Sequence, residues 1–377
     1  AGGLWGGGTP DVNGQYAGFS QALTMVPNGS NMELFYYRRA NALFDGIRMA
    51  GVMKLNNTGT KVDDWTNWLT KDAFPVFAGG LVGISQGSTI TKSSSSASVT
   101  IASSPYQVHT VGGLVGLMIP SGGGQFGLDP YVTTIKDSYF AGAVNVNGGL
   151  ALAGGLVGWE AGFYAIYSPN FGVSIENSYS AGSITATGSA KYIAAGGIGG
   201  GLFLVNVGDQ LKNLFSTTAI TGPGMVGADL PNNEWVYTFV EPPAGGFVGG
   251  LVGHLFRYNI GDPGSAASNN FADRQQTGQS ECVNYVAVNT SGPEAFPELT
   301  TPPSGLCTAV NANGSQADYF KFNRMNGPLS TWNFSNIWRT NQDGLPTLGL
   351  NTPPSVPLNF GGAPTKTSVT LSWQTPA

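Results

Sequence analysis

One short word, Gly-Gly-Leu-Val-Gly or a close variant, occurs five times in the chain: AGGLVG at 78–83 and 153–158, VGGLVG at 111–116 and 248–253, and AGGIGG at 195–200. The Gly-Gly pairs begin at Gly79, Gly112, Gly154, Gly196 and Gly249, so successive copies lie 33, 42, 42 and 53 residues apart. Recurrence on that scale marks a stacked repeat architecture with insertions of variable length, because a unit of this size cannot bury its apolar face alone. Two other uses of such glycines fail. A dinucleotide fingerprint needs Gly-x-Gly-x-x-Gly opening a helix, and here turn residues follow. A membrane-helix contact needs a long apolar segment around Gly-x-x-x-Gly, and no uninterrupted apolar run reaches the roughly 20 residues of a span.

A second word lies between the copies. TTIKDSYFAGAVNV begins at Thr133, VSIENSYSAGSITA at Val173, and the weaker DQLKNLFSTTAITG at Asp209. Aligned, they put Ile135, Ile175 and Leu211 in one column, Tyr139, Tyr179 and Phe215 in a second, and Val144, Ile184 and Ile220 in a third. Ile90 and Val99 fit the first and third columns, as do Phe44 and Met53 in ALFDGIRMAGVMKL. Apolar residues alternate with small polar ones, which is the period of a strand. Each repeat reads as two or three short strands bent by glycines, stacked so that equivalent side chains form ladders about 4.8 Å apart. The glycines concerned are Gly79, Gly80, Gly83, Gly112, Gly113, Gly116, Gly154, Gly155, Gly158, Gly196, Gly197, Gly249, Gly250 and Gly253. They are expected to supply φ > 0 or a close backbone approach at a corner. The Leu and Val of each word are expected to point to opposite faces, one of them into the core. Lys136, Glu176 and Lys212 alternate in sign down one column, which reads as a solvated, mutually compatible ladder ahead of a charged binding stripe.

Composition narrows the class. Charged residues are 10% of the chain, against about 25% in ordinary globular proteins, and 57 glycines take up much of that share. Low charge with many turns suits an extracellular all-β protein. A net charge of −5 leaves no basic patch for nucleic acid. Cys282 and Cys307 flank a Pro-rich loop. A local bridge there, in an oxidising compartment, would stabilise by about 3 kcal/mol; the alternative is two separate buried thiols. Ala1-Gly2-Gly3 fits a mature end after small-residue cleavage and equally a trimmed fragment.

The words AGGLVG and I-x-N-S-Y-x-A-G-S-I resemble the GLUG repeats of bacterial surface proteins. The resemblance covers most of the chain from about Asn41 to Leu350. It implies a β-solenoid on secreted adhesins and cell-wall-attached proteins, and repeats that stand beside the catalytic domain of some secreted metallopeptidases. The stretch Pro328–Leu350, with Trp332, Phe334, Trp338, Pro346 and Leu348, resembles the segment that closes such arrays. The tail Pro353–Ala377 resembles the opening of a fibronectin type III domain, with Val369, Leu371 and Trp373 alternating inward. A whole sandwich of that type needs about 100 residues. The two strands present either continue in a longer chain or complete a neighbour's sheet, which makes Val369, Leu371 and Trp373 candidate assembly residues.

Chemistry is sparse. The two histidines, His109 and His254, are far apart, and no HExxH motif, CxxC pair or EF-hand loop is present. His254 follows a glycine word and is expected at a corner or turn. Asp137, Glu160, Glu176 and Asp209 are the carboxylates a glycan-cleaving β-helix could use. In the N-terminal region, AGGLWGGG at 1–8 reads as a divergent sixth word, Met32–Phe44 as a short helix or strand pair, and Trp65 and Trp68 as a capping or glycan-binding feature.

The expected fold class is all-β: a right-handed, parallel β-helix-like β-solenoid of GLUG repeats with a partial fibronectin-like segment. Its regions are an atypical cap at 1–77, solenoid repeats at 78–260, an irregular loop with the cysteine pair and closing segment at 261–350, and the fibronectin-like start or donated strands at 351–377. The expected function is a non-enzymatic extracellular stalk, adhesin or filament subunit. Its partners would be other copies of itself or a cell-surface glycan or protein, with no cofactor, nucleic acid or membrane span. A carbohydrate-binding module is the first alternative and a polysaccharide-active enzyme the second.

Overall fold

The computed structural model describes residues 24–28, 31–35, 43–57, 76–103, 108–119, 132–147, 150–160, 172–187, 192–204, 208–222, 247–258, 267–289, 298–299, 306–311, 327–340, 344–349, 358–364 and 369–374. Among them the chain is all-β; helix is confined to the single turns Arg274–Thr277 and Gly327–Thr331. No helix of the described residues is long and apolar enough to cross a membrane.

The strands fall into five stacked sheets, and the chain visits them in a fixed order. One round runs Val132–Lys136, Tyr139–Phe140, Ala143–Asn147, Leu150–Gly154 and Val157–Glu160, in the first to fifth sheets respectively. The next round, from Gly172–Glu176 onward, lies parallel and in register on it, with Ile135 beside Ile175, Tyr139 beside Tyr179, Val144 beside Ile184, Gly154 beside Gly196, and Val157 beside Gly199. The three columns read from the sequence are those of the structure, down to Phe44 beside Ile90 and Met53 beside Val99. Each round holds five strands, more than the two or three expected. The second-sheet strands are mostly two residues long, too short for alternation to reveal them. Paired rounds also run past both expected boundaries, from Leu43 below position 78 to Val310 above position 260.

The core follows from this register. Ile90, Ile135, Ile175, Val99, Val144, Ile184, Val111, Ala153 and Ala195 are fully buried in one continuous cluster. Leu and Val of the glycine words do not split between faces. Leu81 and Val82, Leu114 and Val115, Leu156 and Val157, and Leu251 and Val252 all join that cluster. The fourth-sheet strand ends at the first glycine and the fifth-sheet strand begins at Val, so Leu sits on the corner and turns inward too.

The glycines act by close approach. None of the described word glycines has positive φ. A Cβ on Gly112 would fall inside contact with the Val115 carbonyl and 2.7 Å from the Leu156 carbonyl oxygen; one on Gly113 would overlap the Gly155 carbonyl and the Phe140 ring. Positive φ sits in the other word instead, at Lys92, Asp137, Asn177, Asn213 and Asn269, the corner between the first and second sheets. Asn and Asp tolerate that conformation best among residues with side chains. The next residue closes the corner: Ser138 Oγ donates to Lys136 O (2.7 Å) and accepts from Ser93 N (3.1 Å), and Ser178 Oγ repeats both bonds one round on.

Outside the stack, Thr24–Asn28 and Asn31–Phe35 form an antiparallel hairpin, so the start of the Met32–Phe44 stretch is strand. Leu358–Pro364 and Val369–Gln374 form another, which contains the candidate assembly positions Val369, Leu371 and Trp373. The sixth word at 1–8 and residues Trp65 and Trp68 lie outside the described residues.

Candidate functional site

Alternation in the second sheet sends Phe140 into the main core and Tyr139 to the opposite face. There Tyr139, Tyr179 and Phe215 stack ring on ring, with centroids 4.9 and 4.8 Å apart and planes within 5°. Phe271 extends the column, and Val310, paired beside Asp273, joins the same apolar cluster. The Pro328–Leu348 stretch packs against it: Leu329, Trp332, Trp338 and Leu348 are buried there, Trp332 and Trp338 stack at 4.4 Å, and the Tyr179 hydroxyl meets Thr347 Oγ1 at 3.2 Å. The expected closing segment therefore covers the side of the stack and not its end. The cause is the aromatic column, which would otherwise expose a broad apolar face. Inside this segment Trp338 N donates to Asn333 O and Gly349 N to Ile337 O, while its apolar side chains pack on the column. Because the column's rings face one another, they present edges outward, which is a poor platform for stacking sugars.

A second ladder runs down the positive-φ corner. Asn177 Nδ2 donates to Asp137 Oδ1 (3.1 Å), Asn213 to Asn177 (2.9 Å) and Asn269 to Asn213 (3.3 Å). Burial raises the Asp137 pKa, opposed by the Asn177 hydrogen bond and by Lys136 and Lys92. Beside it the charge column holds Lys136 against Glu176 at 3.8 Å, and Glu176 also accepts from Ser174 Oγ (2.9 Å). Both charged side chains are partly exposed, so the pair contributes little to stability.

The remaining titratable candidates are buried in or beside separate strands. Asp209 Oδ1 accepts from Val173 N at 2.7 Å, fixing one round to the next. Glu160, His109 and His254 are each at most 1% exposed. Glu160 pairs beside Met118, His109 beside Ala151, and His254 beside Gly201 and Tyr285. His254 is inside the strand Val252–Tyr258, not at a turn. Burial lowers the His109 pKa to about 4 and that of His254 well below its ordinary value. Groups so enclosed cannot meet a polymeric substrate without opening the sheets. Among the described residues no group of three or more His, Cys, Asp or Glu is placed to hold a metal.

Cys282 and Cys307 form a disulfide, with Cα atoms 5.9 Å apart. Sequence reading missed what Cys282 replaces. Its carbonyl accepts from Leu251 N and Val252 N, as Leu156 O does from Leu114 N and Val115 N. Glu281-Cys282-Val283 thus stand where a further word would put Gly-Gly-Leu-Val, with Glu281 alone in place of the glycine pair.

Variable length is confined to two corners. The first-to-second, second-to-third and fourth-to-fifth connections are short in every round described from Val132 to Phe215, as at Lys136–Tyr139, Phe140–Ala143 and Gly154–Val157. Among the described strands from Leu43 to Asp273, long connections leave only from the third to the fourth sheet, as from Asn57 to Val76 and Thr221 to Phe247, and from the fifth to the first, as from Ile119 to Val132 and Glu160 to Gly172. Compared with protein-family models, curated proteins and solved structures, the chain has no significant match.

Proposed function

We propose that this chain is a non-enzymatic structural or adhesive part of an extracellular surface protein, built as a right-handed β-solenoid of GLUG-type repeats. The in-register return of the same five strand columns carries this reading. Handedness follows from the strong right-handed rule for connections between parallel strands of one sheet. A core filled by stacked side chains makes a stiff scaffold, and the long connections at two corners supply surface that varies without disturbing it. The disulfide fits an oxidising, extracellular setting.

Size refines the role. Among the described residues the tallest sheets have seven strands, so this stack rises about 30 Å at 4.8 Å per step. A block of that height presents its connections, and a long stalk would need several in series. Electron microscopy of the purified protein and of native surface material tests this, together with adhesion to glycan- and protein-coated surfaces. Compact blocks that adhere, alone or in series, agree with the proposal. Cleavage of a polysaccharide by the purified chain, or a helical circular dichroism spectrum, overturns it.

A further inference from the structure

We infer that the segment following Asp273 is an end cap that closes the C-terminal end of the stack against strand pairing with a second copy of this chain. Parallel stacks end in edge strands whose N–H and C=O groups template further pairing. Here the third sheet ends at Ala219–Thr221, the fourth at Phe247–Gly249 and the first at Ala267–Ser268. At the third sheet and at the fourth-to-fifth corner, the described chain beyond them supplies something other than another in-register round.

At the third sheet the device is a helical turn. Asp273 Oδ1 accepts from Gln275 N (2.9 Å) and Gln276 N (3.3 Å), Thr277 Oγ1 donates to Asp273 O (2.7 Å), and Gly278, at φ +72°, ends the turn. The next residue, Gln279, then donates from Nε2 to Ile220 O at 3.3 Å. A side-chain amide takes the edge carbonyl where a sixth strand would have paired.

The fourth-to-fifth corner is closed differently. In interior rounds the second glycine of a word lies against the next round's glycine carbonyl, Gly80 against Gly113 O and Gly113 against Gly155 O. That approach leaves no room for a Cβ. In the last round Glu281, with an exposed, charged side chain, takes the place of the glycine pair, and its carbonyl accepts from Gly250 N at 2.8 Å as a first glycine's carbonyl does in interior rounds. The bond downward is kept, and the glycine that a further round needs is gone. In the fifth sheet the last strand, Glu298–Leu299, is antiparallel and breaks the parallel run. The Cys282–Cys307 disulfide braces this end, joining the start of the last parallel fifth-sheet strand to the start of Thr308–Val310 in the second.

The inference needs only the strand register, so it stands or falls separately from the extracellular reading. The test is self-association of the whole chain, followed by light scattering behind size exclusion across a concentration series. Wild type is expected to stay monomeric through this end. The Gln279→Ala/Glu281→Gly variant is expected to associate at least about tenfold more tightly. Equal association of a variant that keeps its β-sheet circular dichroism overturns the inference. So does an intermolecular crosslink in an otherwise wild-type chain carrying Thr221→Cys and Lys54→Cys, which would join the C-terminal edge of one copy to the N-terminal edge of another. Should the double variant lose its sheet signal, Gln279→Ala alone, which leaves the helical turn and Glu281 in place, decides on the same readout.

Discussion

Replacing Gly154 by alanine tests the packing logic most directly. The added Cβ would overlap the Val157 carbonyl and lie 3.0 Å from Gly199 Cα. Neither side can retreat. Gly154 is paired on both flanks, to Gly112 and Gly196, and Val157 to Val115 and Gly199. Relief requires a backbone shift of about 1 Å, at an overpacking cost of about 1–3 kcal/mol. That shift would strain the bonds from Gly113 N to Gly154 O (3.0 Å) and Val115 N to Leu156 O (2.8 Å), each buried and worth about 1 kcal/mol or more. The expected loss is about 4 kcal/mol. The control is Gly222→Ala. Its nearest neighbour would be Ala186 Cβ at 3.8 Å and its φ is not left-handed, so the change is expected to be neutral or to stabilise by about 0.5 kcal/mol. Gly250→Ala belongs between them, because its tightest contact is the Ala272 methyl at 2.7 Å and no backbone atom lies within 3.0 Å; Ala272→Gly should recover part of that loss. Urea denaturation followed by far-UV circular dichroism measures all four. If Gly154→Ala and Gly222→Ala differ by less than about 1 kcal/mol, the close-approach account of the glycine words is wrong.

The buried histidines set a pH dependence. His109 has a folded pKa of about 4 against an ordinary 6.5, so its contribution is complete above pH 6.5 and is lost as pH falls from there toward 4, by about 3 kcal/mol in all. The urea midpoint of wild type should drop over that range, and His109→Gln should drop less. Asn177→Ala should cost about 3 kcal/mol, from strain at φ 45° and loss of two amide bonds, whereas Asn177→Gly should cost only about half of that; equal losses would deny the positive φ any role, and a neutral Asn177→Gly would deny the ladder one. Trp338→Ala should destabilise the covering segment by about 3–5 kcal/mol, read as loss of tryptophan burial, while the sheet signal of the stack persists.

The columns were legible because a parallel stack repeats its side-chain environment at each round, so Ile135, Ile175 and Leu211 answer to one constraint. The glycine words were legible as repeats, but not in their detail. Whether a glycine is needed for φ or for space depends on what lies one round away, and only the packed structure shows Gly155 O over Gly113. The strand at Tyr139–Phe140 was hidden by its length. The covering segment was hidden because Trp332 and Trp338 mark apolar burial without saying against which face. Cys282 escaped because Glu281-Cys282-Val283 keeps the backbone bonds of a glycine word and none of its glycines. The carboxylates were ambiguous for a related reason: stacking brings Asp137 and Glu176 near each other, as a catalytic pair would be, yet their partners are Asn177 and Lys136.

The corners decide where such a chain can vary, and an insertion experiment makes that quantitative. The Phe140–Ala143 corner is fixed from both sides: Ala141 N donates to Ser95 O, Ala143 N to Ala97 O, Ala181 N to Phe140 O and Ser183 N to Gly142 O, at 2.8–3.2 Å. Inserting four Gly/Ser residues between Ala141 and Gly142 displaces all four bonds and lifts Phe140 from Gly113, a loss of at least about 4 kcal/mol. The same insertion between Gly148 and Gly149 lengthens a third-to-fourth sheet connection that other rounds already make much longer, between Thr221 and Phe247 for example. Loop-closure entropy for going from two residues to six then costs about 1 kcal/mol. Thermal unfolding of the two insertion variants should differ widely, with the second close to wild type. A tolerated insertion at 141–142 would mean that the second and third sheets do not hold their register through that corner, and variable surface would then not be confined to two sides of the stack.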